Sequence, residues 1–233
     1  MLGPFDYALW IACGLLEAAV IVCSLVRRSF LKYLALNLYM AASLSAGVAR
    51  LYVLLKFGFT SPQYFYFYYY SDALLTIALF FALISLYSRV LEEMKAERLV
   101  RLASILLLAG TAWFSYQIVE QSSHRMLTHF VVELSQNLYF VGLVLTYILW
   151  GAMMKLRETR TRLIQLALSL GVFFSAYSAT YALRNLFPAF GVAQKILPPL
   201  VALWLPLTWT LTLWKVPEEA RLETARLAAT PAR

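Results

Sequence analysis

Charge is scarce in this chain. Asp, Glu, Lys and Arg make up 14% of it and hydrophobic residues 62%, where a soluble domain carries about 25% charge. With a mean hydropathy of +0.70, too little polar surface remains to cover a water-soluble particle, so a soluble globular domain is excluded. Thiol chemistry is also short of material. Cys13 and Cys23 lie in one apolar stretch, too far apart along a helix for a disulfide. The two histidines, His124 and His129, fall at the same end of a single stretch, which excludes a haem held between facing helices. Gly-x-Ser-x-Gly and Asn-x-Ser/Thr do not occur, so neither a nucleophile elbow nor an N-glycan acceptor is encoded.

What is present is long apolar segments. A span needs about 20 mostly apolar residues, and seven such stretches can be read: 6–27, 31–56, 64–90, 98–120, 127–154, 162–186 and 191–214. The expected fold is all-α, a polytopic integral membrane protein built as a seven-transmembrane-helix bundle. Residues 1–214 form its single domain and 215–233 a short cytoplasmic tail. The first stretch has no basic segment before it and carries Glu17 at its centre, so it is expected to stay as a span rather than be cleaved as a signal peptide.

Cations give the orientation, since loops rich in Lys and Arg stay cytoplasmic. Fifteen of the 20 lie at the first, third and fifth connections and in the tail; Arg50, Lys56, Arg125, Arg184 and Lys195 are the other five. The N-terminus is expected outside and the C-terminus in the cytoplasm. The same asymmetry accounts for the net charge of +8, so no nucleic-acid partner is expected; the partners are the lipid bilayer and a membrane protein or a second copy. The setting that fits best is a bacterial inner (plasma) membrane.

Ionisable groups inside a bilayer are costly and tend to face a bundle interior. Arg50, Asp72, Glu133, Arg184 and Lys195 come from five different spans, all toward the outer side. Their signs nearly cancel, which points to pairs such as Arg50 with Asp72 and Arg184 with Glu133. Helical spacing enlarges the group, because residues four apart share a face. Tyr64, Tyr68 and Asp72 form one stripe, His129, Glu133 and Asn137 another, and Tyr177, Tyr181 and Arg184 a third. These are the candidate ligand-binding or ion-pair residues. The competing reading is that they fix how the helices pack. Glu17, deeper and apart, is a candidate intramembrane carboxylate, or simply a donor across a tight helix contact. Pro198, Pro199 and Pro206 predict a kinked or broken seventh helix.

Residues 34–38 (Leu-Ala-Leu-Asn-Leu) echo residues 166–170 (Leu-Ala-Leu-Ser-Leu), with Ser43 matching Ser175. The echo fits a 3+1+3 parallel repeat, the plan of some small transporters. In overall plan the chain also resembles the rhodopsin and receptor class. The resemblance is topological: retinal proteins carry a lysine midway along the seventh helix, whereas Lys195 lies near its start. His129, Glu133, Asp72 and His124 lack a further strong ligand for a metal, so neither a metal site nor an intramembrane hydrolase is expected, and no cofactor is named. The expected function is non-enzymatic binding of a small ligand or membrane partner through a polar, Tyr-rich cavity in the outer half, as a sensor or complex subunit. The alternative is a small transporter using Glu17 and the outer charges.

Overall fold

The computed structural model of this chain describes residues 3–92, 97–120, 126–186 and 191–220. Among them run seven helices: α1 (Pro4–Val26), α2 (Leu34–Phe57), α3 (Pro62–Val90), α4 (Glu97–Glu120), α5 (Met126–Lys155), α6 (Thr161–Leu186) and α7 (Gly191–Lys215). Each contains a segment long and apolar enough to cross a membrane. The tail beyond residue 220, His124, and the side chains of Arg184 and Lys195 lie outside the described residues.

Local signals set the helix ends. Ser61 caps α3 by accepting from the Tyr64 amide at 3.2 Å, with Pro62 in the first turn, where its missing N–H is no loss. α1 and α5 end alike, without glycine. Arg28 and Arg157 both adopt φ 52°. The following amides, of Ser29 and Glu158, bond back to the carbonyls of Ser24 and Met153 at 2.9 Å. This left-handed closure usually falls to glycine, and an arginine at the position does not announce it.

The helices close a ring. α1 packs on α2, α2 on α3, α3 on α5, α5 on α6, α6 on α7, and α7 returns to α1; α4 sits outside, against α5 and α3. The core runs down the ring's centre and includes Leu79, Leu83, Leu86, Leu166, Leu170, Phe174 and Trp209, all essentially inaccessible. Two glycines let α5 and α6 approach closely. A Cβ on Gly142 would lie 2.3 Å from Phe174, and one on Gly171 2.2 Å from Trp150. The prolines of α7 do not break it: it is assigned as one helix with Pro198, Pro199 and Pro206 inside.

The cation-rich end is fastened by ion pairs. Glu218, just past α7, meets Arg162 at 2.6 Å and Lys32 at 2.5 Å, and accepts from the Tyr33 hydroxyl at 3.3 Å. Arg162, 3% exposed, also donates to the Val216 carbonyl from Nε at 2.9 Å. Arg160 pairs with Glu158 at 2.6 Å and donates to the Arg89 carbonyl at 2.9 Å. Arg27 donates to the Trp214 carbonyl at 2.7 Å. Cations that serve as a topology signal in the sequence thus also hold α1, α2, α6 and the start of the tail together. Burial alone would push the Glu218 carboxyl up, but the hydrogen bond from Lys32 and the charge of Arg162 outweigh it and hold it below the usual glutamate range. The Tyr33 phenol is pushed up to about 12, first by burial and then by Glu218 beside it.

Candidate functional site

Between α1, α2, α3, α6 and α7, with Tyr139 of α5 reaching in, lies a cavity of about 430 Å³. It reaches from Tyr7 and Tyr64, near the cation-poor end, to Glu17 and Pro206. At 1.5 Å per residue along α1, that is a depth of about 15 Å.

α2 and α3 build the upper wall. Arg50 donates from Nε to Ser71 Oγ at 2.7 Å and from Nη2 to the Tyr68 carbonyl at 3.2 Å. Its guanidinium lies over the Tyr68 ring, 4.4 Å from the centroid. Asp72 Oδ1 is 3.9 Å from Arg50 Nη2, close enough for attraction and too far for a hydrogen bond. The Asp72 side chain keeps 24% of its surface exposed and lines the cavity together with Arg50, Tyr64 and Tyr68. Because the pair is long and partly wetted, Asp72→Asn is expected to cost under about 1 kcal/mol. Arg50 retains Ser71, the Tyr68 carbonyl and the Tyr68 ring. Chemical denaturation in detergent micelles measures the cost; a loss of several kcal/mol would mean that Asp72 is a packing residue.

The lower wall centres on Glu17, which is buried. Its Oε1 accepts from Ser43 Oγ at 2.5 Å and, more weakly, from Cys13 Sγ at 3.8 Å. The Cys13 thiol also reaches the Ala202 carbonyl at 3.9 Å. That carbonyl is a consequence of Pro206: proline has no N–H to return to the residue four before it, so the Ala202 oxygen is left free, and both residues line the cavity. Glu17, placed apart from the charged cluster by its depth, therefore shares one cavity with Arg50 and Asp72.

The other named residues are distributed as follows. Tyr177 lines the cavity and stacks on Tyr139 at 4.8 Å with ring planes 5° apart. Tyr181 packs on the same Tyr139, 5.7 Å away. Asn137 donates to Ser115 of α4 at 3.0 Å, and His129 is exposed. Glu133 is half-buried and does not line the cavity. Whether Arg184 and Lys195 approach the cavity lies outside the described residues. Among those residues, no three His, Cys, Asp or Glu come together in a way that would hold a metal.

Sequence reasoning missed Tyr39, Tyr139 and Cys13 as site residues, while the depth match of Glu17 with Ser43 is met by their hydrogen bond. A signal existed for most of them. Tyr39, Ser43, Gly47 and Arg50 follow helical spacing on α2, as do Trp10, Cys13, Gly14 and Glu17 on α1, and each set lines the cavity. On α5 the polar stripe drew attention, whereas the face turned to the cavity is that of Tyr139, two residues beyond Asn137.

These features define a helical bundle with an internal, mixed polar and aromatic cavity. No known protein family, curated protein or solved structure matches the chain.

Proposed function

We propose that this chain is an integral membrane protein, N-terminus outside and C-terminus cytoplasmic, that binds a small ligand in the cavity between α1, α2, α3, α6 and α7. In this reading it acts without chemistry of its own, as a sensor or as a subunit of a membrane complex, in a bacterial inner membrane. A membrane protein or a second copy receives the signal. The observation that carries the reading is the cavity. Its volume of about 430 Å³ falls within the range of small-molecule sites, roughly 300–1,000 Å³, and its walls bring two carboxylates, a guanidinium and several phenols to one space. Structural ion pairs alone would be expected to close tightly on one another; Arg50 and Asp72 leave a gap and stay accessible.

Gly47 lines the cavity, with Trp10 3.6 Å from where its Cβ would sit, so Gly47→Phe should fill the space. A small-molecule screen on purified protein should give compounds that raise the melting temperature saturably, and Gly47→Phe should abolish the rise. Hits indifferent to that substitution would sink the reading. Orientation is tested separately. A reporter active only in the cytoplasm should work when fused after Arg233 and stay silent when inserted near Ser122. The opposite pattern would invert the assignment.

A second reading, a small transporter of 3+1+3 parallel repeats, has specific support. Each contact within the first three helices has a counterpart in the last three: α1–α2 with α5–α6 and α2–α3 with α6–α7, while α3–α5 answers α7–α1 and α4 stays outside. The matching arginine closures of α1 and α5 obey the same relation. Uptake of a cavity ligand into proteoliposomes, driven by its own gradient, would favour transport; binding without uptake would favour the first reading.

A further inference from the structure

We propose that the cavity is selective for a small organic ammonium cation, an inference that rests on the ligand-binding reading above. Formal charge is the first ground. Among the described residues, Glu17 and Asp72 face Arg50 as the charged groups lining the space, so there the carboxylates outnumber the guanidinium. Arg50 is moreover already engaged, donating to Ser71 and the Tyr68 carbonyl and covered by the Tyr68 ring.

The second ground is unmet hydrogen bonding. Asp72 receives no hydrogen bond on its carboxylate from any described residue. Tyr39, Tyr64 and Tyr139 are 9%, 9% and 5% exposed and line the cavity. Their hydroxyls make no hydrogen bond to any described residue. The three hydroxyls are open to the cavity rather than enclosed, and each can accept from a ligand's polar hydrogens as well as donate. The Ala202 carbonyl, freed by Pro206 and met only by a thiol, adds another acceptor. The walls thus offer more acceptors than donors, and an ammonium group is the compact donor that matches them.

The third ground is the aromatic lining. Tyr68, Tyr139 and Tyr177 present ring surface to the same space. Aromatic faces attract alkylammonium groups through the ring quadrupole, most strongly where water is scarce. An anion would meet two carboxylates there, and a neutral apolar molecule would leave them and the phenols unpartnered.

The test uses three matched probes on the full chain in detergent micelles: n-butylammonium, n-pentanol and pentanoate, at equal ionic strength. Butylammonium should raise the melting temperature saturably, and the two uncharged or anionic probes should not. Its dissociation constant should rise roughly tenfold or more in Asp72→Asn and in Glu17→Gln, as expected on losing a charged hydrogen-bond partner. A larger shift from pentanoate than from butylammonium, or an undiminished butylammonium shift with both carboxylates replaced, overturns the proposal. The comparison among probes needs only the unsubstituted protein, so it decides even if a variant fails to fold. Gly47→Phe separates the two levels. A pentanoate or pentanol shift that it abolishes leaves the binding cavity standing and removes only the cation selectivity. Shifts that survive it, or no saturable shift from any probe, remove both.

Discussion

Glu218→Gln is expected to lower the stability of the bundle by about 2–3 kcal/mol at neutral pH. Removing one member of a buried pair typically costs about 3–5 kcal/mol, because the other charge stays desolvated and alone. Here Arg162 is the charge left behind, with 4% of its side chain exposed, while the 28% exposure of Glu218 places the loss at the low end. Arg162 would retain the Val216 carbonyl and at best a neutral amide oxygen where the carboxylate stood. Lys32→Gln is the control. Its side chain is 47% exposed, so its removal should cost well under about 1 kcal/mol. The pH dependence has a definite sign. The folded Glu218 carboxyl is held below its ordinary value, so its contribution is fully present above the usual glutamate range and is lost as pH falls through the lowered value. The gap between wild type and Glu218→Gln should therefore shrink on acidification. Tyr33 acts at the other end: its neutral form contributes fully below about 10, and that contribution fades as pH rises toward about 12. Equal stability of wild type and Glu218→Gln at pH 7 would show that the fastening is ornamental.

Gly142→Ala should add a costly methyl to the ring. Its Cβ would lie 2.3 Å from Phe174 Cε1 and 2.6 Å from Cζ, and Phe174 is 1% exposed with Tyr139 and Phe173 packed on it. Overpacking of this kind costs about 1–3 kcal/mol, and with so little room the upper part of that range applies. Alanine's better helix propensity returns about 1 kcal/mol, which leaves a clear net loss. Gly171→Ala should also be costly, since its Cβ would strike Trp150, tied to the Ala167 carbonyl, at 2.2 Å and the buried Thr146 methyl at 2.7 Å. Phe174→Leu should restore part of the lost stability in the Gly142→Ala background, a coupling that a double-mutant cycle reads directly. If the two substitutions proved additive, the close α5–α6 approach at this point would be wrong.

The helices were legible because long, nearly uncharged apolar stretches bounded by polar connections stand out in composition; the seven stretches agree with the seven helices to within a few residues at each end. The site was legible only in part. The stripe of Tyr64, Tyr68 and Asp72 was visible because three polar groups at four-residue spacing stand out in an apolar segment. Tyr39 did not stand out, since single phenols are common inside apolar helices. Depth did match Glu17 to Ser43 on the second span, and the two meet with Ser43 as the donor; that Arg50 and Asp72 share the same cavity is fixed by how α1, α2 and α3 rotate against one another. Prolines in the seventh stretch pointed to a kink or a break. The helix continues through all three, and the consequence at the cavity is chemical, a carbonyl at Ala202 without its helical N–H. Glu218 was invisible as a partner for Arg162, because the two are 56 residues apart and nothing local marks either as paired.

The contact between α1 and α7 carries a consequence for biogenesis. α1 is completed as a cavity wall only by α7, which follows it by five intervening helices, since the groups facing Cys13 and Glu17 across the space include Ala202 and Pro206. During synthesis, then, a carboxylate waits near the middle of α1 with Ser43 as its early companion, and the far wall arrives some 185 residues later. Chains that stop short of α7 leave that carboxylate without the wall that carries Ala202 and Pro206.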